Sequence, residues 1–374
     1  MPHTIPTDRR SDIEWRNEST QKPPKAAVYC HETSAADILK AAYDQTATIW
    51  TGDFHNAKQV LAAMKKRVRQ TLGKAKKHAD DDPQAAFHRH RMQQAQQSRI
   101  LNMLAVEVGA GFTLDLPRAP DITAALTDVY GAANTQPFLL PLNQLLGFIG
   151  AHEWHKKGIH IPQLDGKIHV PFGVFSPIRG EYLDLIAQAP LAKSVQTAFD
   201  IGTGSGVIAA LLAKRGVPHI IATDTNSKAI ACACANLERL GYDRQVAIQA
   251  VDLFPEGCAD LIVCNPPWLP AKPTSTIETA LYDPDNAMLR SFLDGVKAHL
   301  NVDGEAWLIM SDLAEHLHLR PAGYLAQCFQ TAGLSVIEVL QTKPLHAKAA
   351  DPNDPLAFAR MQEQTYLYRL KIQS

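Results

Sequence analysis

The 374-residue sequence predicts an α/β fold in its carboxyl-terminal part, with a mainly helical domain ahead of it. Three observations carry that prediction. From Thr197 onward, short apolar runs alternate with stretches of helical periodicity, the pattern of a sheet covered by helices on both faces. Thr197–Lys214 passes from such a run through a glycine turn into a helix rich in Ala and Leu. Before residue 166, apolar side chains recur instead at helical spacing over several long segments.

The length has room for two domains and a sizeable core. The formal net charge is −1, but residues 1–165 carry about +3 and residues 166–374 about −4. No apolar run reaches membrane-spanning length and the polar start lacks a signal-peptide core, so no membrane partner is expected. Cys30, Cys232, Cys234, Cys258, Cys264 and Cys328 make no Cys-x-x-Cys pair, so reduced thiols and a cytoplasmic setting are expected.

Residues 1–34 are polar, aperiodic and proline-containing, which predicts a loosely ordered arm. Residues 35–165 read as a helical domain for substrate recognition. Ser34-Ala-Ala-Asp37 forms a capping box with Asp in place of Glu, and Ile38, Ala41, Ala42, Thr46 and Ile49 continue a helix from it. Further helices are expected over 56–72, 83–105, 121–130 and 141–156. Lys58, Lys65, Lys66, Arg67, Arg69, Lys74, Lys76 and Lys77 follow one another without an intervening acid. Such a row suits a phosphate backbone, as in rRNA or tRNA; it equally describes a solvated helix face. His152 and His155 stand three apart, and Lys156 occupies the place that a helical zinc pair requires, so no metal is expected. Ile159–Ile161 and Ile168–Val170, bounded by Pro162 and Pro171, predict a hairpin that joins the halves.

Residues 166–374 carry the chemistry. Gly202, Gly204 and Gly206 alternate in the turn after Asp200, with Thr203 among them. A dinucleotide fingerprint places its third glycine where Val207 stands, and Asp200 repels a diphosphate but suits a cation. A second apolar run ends at Asp224-Thr225, about 20 residues on, where a ribose-binding acid belongs. Asp224 alone has a plainer reading as a helix N-cap. Asp252-Leu253 follows a third run and offers a carboxylate beside an apolar side chain. A fourth run, Leu261–Cys264, leads into Asn265-Pro266-Pro267-Trp268.

With these motifs in this order, the chain resembles the class I S-adenosylmethionine-dependent methyltransferases with an Asn-Pro-Pro-aromatic motif. That group includes adenine-N6 and guanine-N2 methyltransferases of nucleic acids and the glutamine methyltransferases of release factors. The resemblance covers roughly residues 166–374 and implies a Rossmann-like domain of seven strands, the last antiparallel. It implies S-adenosylmethionine contacts at Asp200, Gly202, Thr203, Gly204, Gly206, Asp224, Thr225, Asp252, Leu253 and Asn265. Gly173–Pro177, with Phe175, resembles the segment that shapes the target pocket in guanine-N2 enzymes. Trp268 stands where most members carry Tyr or Phe.

The expected acceptor is a planar sp² nitrogen, a base amine or a side-chain amide. Asn265 Oδ1 and the Pro266 carbonyl can accept its two N–H bonds, while Pro266 and Pro267 fix the backbone. Trp268 offers a stacking face. A nucleic-acid base is the leading expectation, with Lys65, Lys66, Arg67 and Arg69 as contacts. A glutamine of a release factor is the alternative. A small acceptor and a non-catalytic RNA-binding protein on the same fold remain further readings. The proline-bearing stretch 343–359 leaves the ligand side of the sheet and is expected to be functional.

Overall fold

Side-chain shape and burial decide which of these segments become strands. The computed structural model describes residues 3–72, 82–177, 180–275, 277–344, 351–352 and 354–373. They fall into two compact units: Met1–Asp81, His88–Glu153 and Thr274–Thr276 in one; Asp82–Phe87, Trp154–Pro273 and Ile277–Ser374 in the other. Among the described residues no helix is long and apolar enough to cross a membrane.

The elements up to Lys157 are β1 (His3–Ile5), β2 (Ile13–Trp15), β3 (Ala26–Cys30), α1 (Ala35–Tyr43), β4 (Thr46–Trp50), α2 (Phe54–Leu72), α3 (Pro83–Leu101), β5 (Leu104–Val108), α4 (Thr123–Tyr130), β6 (Phe138–Pro141) and α5 (Leu142–Lys157). A helix lies in each predicted segment, though α3 ends at Leu101 and yields Leu104 and Ala105 of the expected 83–105 to the buried β5, and Ser34 caps α1 by accepting from Asp37 N. They accompany a six-stranded sheet, ordered β1-β2-β6-β5-β4-β3, that the sequence reading lacks.

Two expectations are therefore corrected. Residues 1–34 are not a loose arm, because three of the six strands come from them and Ile5, Ile13 and Trp15 are buried. Strands of three residues are too short to display alternation. The helix expected to run through Ile49 stops at Tyr43, and Gln45 at φ 61° turns the chain into β4. Thr46-Ala-Thr-Ile-Trp50 is β-branched and aromatic, and its last four residues are buried. A strand covered on both faces shows no period that separates it from a helix.

The rest begins with the predicted hairpin, β7 (Ile159–Ile161) and β8 (Gly166–Ile168), antiparallel. Then follow α6 (Glu181–Gln188), β9 (Thr197–Ile201), α7 (Val207–Lys214), β10 (His219–Thr223), α8 (Ser227–Leu240), β11 (Val246–Gln249), β12 (Ala259–Cys264), α9 (Ala287–His299), β13 (Leu300–Ser311), α10 (Leu313–His316), α11 (Tyr324–Thr331), β14 (Leu334–Thr342), α12 (Ala357–Arg360) and β15 (Thr365–Ile372). The seven-stranded sheet runs β11-β10-β9-β12-β13-β15-β14. Its first five strands are parallel; β15 is antiparallel to both neighbours, as the resemblance implies. Ala198 packs under α7 and α8 on one face, while Phe199 and Ile201 pack against α9 on the other. After β11 the chain crosses back to lay β12 beside β9. Strand order reverses there, at the carboxyl ends of β9 and β12, where open α/β sheets form their ligand crevice. Residues 345–350 and 353 of the proline-bearing stretch lie outside the described residues.

Candidate cofactor and acceptor site

The glycine turn leaves β9 with all three glycines in the left-handed region: Gly202 at φ 71°, Gly204 at 56° and Gly206 at 79°. Their surroundings differ. A Cβ on Gly204 would meet nothing within 4 Å, so the backbone there faces open space. A Cβ on Gly202 would lie 3.1 Å from Met288 Cε, and one on Gly206 would lie 3.1 Å from Ala233 Cα of α8. Gly206→Ala combines a strained backbone with a collision against another backbone. It is expected to cost about 2 kcal/mol, read as a lower midpoint of thermal unfolding. An unchanged midpoint would show that the turn relaxes freely.

Asp200 lies beneath this turn, fully buried, rather than at its mouth. Oδ2 accepts from Thr203 Oγ1 at 2.6 Å and from Ala209 N at 3.0 Å, which ties the turn to α7. Oδ1 is buried without a hydrogen-bond partner. Burial pushes the carboxyl up to about 7, helped by the nearby Asp224 charge and opposed by the two hydrogen bonds.

One strand over, both carboxylate oxygens of Asp224 meet backbone. Oδ2 accepts from Gly204 N at 2.9 Å and Oδ1 from Asn226 N at 2.8 Å. The N-cap reading of Asp224 is corrected: Asn226 caps α8, accepting from Lys228 N. Thr225 is exposed beside it. Asn226 Nδ2 also donates to Gly173 O at 3.2 Å, which brings the Gly173–Pro177 segment, with half-exposed Phe175, against this loop. Asp252 is exposed; Leu253, at φ 57°, is held by Thr223 Oγ1 donating to its carbonyl at 2.6 Å. The expected cofactor residues thus come together along the ends of β9, β10 and β11.

Asn265 follows β12, whose last residue, Cys264, is in register with Ile201 of β9. The tetrad therefore emerges beside the glycine turn. Trp268 Nε1 donates to Asn265 Oδ1 at 2.9 Å. An indole N–H can only donate, so this bond fixes which end of the amide is which. Tyr182 of α6, buried, hydrogen-bonds Asn265 from within the fold, and burial raises its phenol well above the ordinary value. Pro266 is buried, and Trp268 packs partly buried against both faces of the core. Sequence reasoning missed Tyr182, Asn226 and the buried Arg320, whose Nη2 donates to the Trp268 carbonyl at 3.0 Å. None belongs to a motif, and only their distant partners mark them.

Lys66, Arg67 and Arg69 are exposed and Lys65 half-exposed on α2, behind a buried stripe of Leu61, Met64 and Val68. They lie in the amino-terminal unit. Lys74, Lys76 and Lys77 lie outside the described residues. His152 Nδ1 lies 2.7 Å from Asp128 Oδ2.

Residues 167–336 match the methyltransferase small domain family. A release factor glutamine methyltransferase from Geobacter sulfurreducens is 30% identical over 228 residues, which are 58% of this chain and 69% of that protein. The chain belongs to the class I S-adenosylmethionine-dependent methyltransferases. Another release factor glutamine methyltransferase, from Cereibacter sphaeroides, is 32% identical over 41% of this chain and 58% of its own length. The tRNA1(Val) (adenine(37)-N6)-methyltransferase of Cytophaga hutchinsonii is 29% identical over 33% of this chain and 56% of its own. The chain therefore spans little more than half the length of these two relatives. S-Adenosylmethionine fits the residues present: Oδ1 of Asp200 is a buried acceptor with no partner, and Gly204 leaves space against the turn.

Proposed function

We propose that this methyltransferase acts on a planar amino or amide nitrogen of a macromolecule. The Asn265–Trp268 hydrogen bond, one strand from the glycine turn, carries the reading. S-Adenosylmethionine, when bound, supplies an electrophilic methyl on a sulfonium. The residues of the chain do the rest. Asp200 and the Gly202–Gly206 turn would hold the charged end, Asp224 and Thr225 the ribose, and Asp252 and Leu253 the adenine. Asn265 Oδ1 keeps a second lone pair beyond the one that Trp268 uses, and with the Pro266 carbonyl it can accept both hydrogens of an NH₂ group. That turns the nitrogen lone pair out of conjugation and toward the methyl. No strong base stands in the tetrad, so the proton leaves after transfer.

For the acceptor we favour a nucleic-acid base in rRNA or tRNA. Lys65, Lys66, Arg67 and Arg69 support it, since α2 presents them with no ion pair to a described residue. A glutamine of a translation protein is the second reading, favoured by the release factor enzymes among the relatives. Radiolabelled methyl from S-adenosylmethionine, transferred into extract of cells lacking the gene, separates them. Ribonuclease-sensitive label supports the first and protease-sensitive label the second; no macromolecular label refutes both. With three lysine or arginine contacts reversed to Glu (Lys65, Lys66 and Arg67), transfer to RNA should fall about tenfold or more at low salt and lose much of its salt dependence. Unaltered rate and salt slope would leave α2 as a solvated surface.

A further inference from the structure

We propose that Arg320 is a positioning residue that fixes the acceptor loop relative to the cofactor turn, an inference that rests on reading Asn265–Trp268 as the acceptor site. Arg320 lies between α10 and α11 with its side chain 1% exposed. Burying a guanidinium costs several kcal/mol even after relaxation, so it needs hydrogen bonds that an apolar side chain could not make. Nε and Nη2 both donate to Asn286 Oδ1, at 3.1 and 2.7 Å. Nη2 also donates to the Trp268 carbonyl at 3.0 Å. Nη1 makes no hydrogen bond and lies 3.7 Å from Glu315 Oε1, close enough to balance the charge.

The two anchors belong to separate segments. Trp268 closes the tetrad, whereas Asn286 immediately precedes α9. Asp285 and Asn286 are both left-handed, at φ 56° and 54°, a region that Asp and Asn enter more readily than other side-chain-bearing residues. Buried Asp283 accepts from Met288 N and Leu289 N, and its own N–H donates to Leu269 O at 2.9 Å, one residue past Trp268. Met288 then reaches the cofactor turn, its Cε 3.1 Å from where a Cβ on Gly202 would stand. Met288 thus neighbours Gly202 and is held by Asp283, while Arg320 ties the adjacent Asn286 to the Trp268 carbonyl and Trp268 bonds Asn265 Oδ1, so one segment borders both loops. The two loops leave neighbouring strands, and methyl transfer needs them held within a fraction of an ångström of each other. A planar guanidinium presents its donors in a rigid fork that spans the Asn286 and Trp268 oxygens; an ammonium is a compact charge on a flexible stem and lacks that fixed geometry.

S-Adenosylmethionine is the probe, used with the full chain. Trp268 emission is taken as the difference between each protein and its Trp268→Phe counterpart. In otherwise unaltered protein, S-adenosylmethionine should change that emission. In Arg320→Met the cofactor affinity should stay within about threefold, the emission response should vanish, and transfer to the extract substrate should lose about 100-fold in kcat with little change in KM. Arg320→Lys should recover part of both. A folded Arg320→Met with the normal response and rate overturns the proposal. Should Arg320→Met fail to fold, Asn286→Ala decides, because it leaves the guanidinium on the Trp268 carbonyl; a retained response there overturns the proposal as well. An extract that takes no methyl from the unaltered enzyme refutes the acceptor reading, while the emission response still decides the role of Arg320.

Discussion

Asn265→Ala is expected to lower kcat by about 10²–10³-fold, the usual cost of deleting one preorganised polar group that meets the reacting centre. Cofactor affinity should fall far less than kcat, because Asn265 is only one of the expected cofactor contacts and the alanine variant keeps the glycine turn and both ribose-side loops. The loss should be larger than a single hydrogen bond suggests. Asn265 is bonded by Trp268 and Tyr182 at once, so its removal frees the indole and leaves a buried phenol without that partner. Binding by titration calorimetry and turnover under saturating S-adenosylmethionine separate the two effects. Comparable turnover in Asn265→Ala would remove the residue from the mechanism.

The second large effect is a pH dependence centred on Asp200. Without ligand its carboxyl titrates near about 7 instead of 3.8. Between those values the folded protein holds a proton that the unfolded chain has lost. Stability contributed by this group is therefore lost as pH rises through that window. A bound cation reverses the preference, since it favours the ionised carboxylate. Affinity for S-adenosylmethionine should rise from pH 6 to pH 8, and binding below about 7 should release a proton, read from calorimetry in buffers of different ionisation enthalpy. Asp200→Asn should weaken binding and abolish the proton release. Equal release in that variant would assign the titration to another group.

Legibility in the sequence followed the physics of each segment. The strands and helices from Thr197 to Ile372 were readable because a parallel sheet demands continuous apolar runs bounded by turns. The strand ends are less legible, since β13 runs from Leu300 through an exposed stretch before its buried half begins. The cofactor residues were legible because their chemistry needs particular residue types at loop ends. The amino-terminal sheet was not, since β1 and β2 are three residues long, β4, β5 and β6 are almost wholly buried, and β3 is a lone run of five partly exposed residues. Asp200 was read at the correct position with its surroundings unknown. Whether a carboxylate beside a turn faces solvent or the core depends on α7, which closes over it through Ala209 N. Arg320 was invisible for the same reason: a single arginine in a polar stretch shows nothing of the carbonyl and amide it will meet.

The position of β15 governs how this sheet can assemble. β14 comes earlier in the chain, yet its ladder in the sheet is with β15, which lies between it and β13. During synthesis β14 must wait, its nine residues presenting open hydrogen-bonding groups until Thr365–Ile372 arrives. The parallel half can form first, whereas the last step inserts one strand into a gap and completes two ladders together. A nascent chain stopped before Thr365 carries two open edges and lacks the buried Leu367 and Leu370, the condition in which intermediates of this kind aggregate.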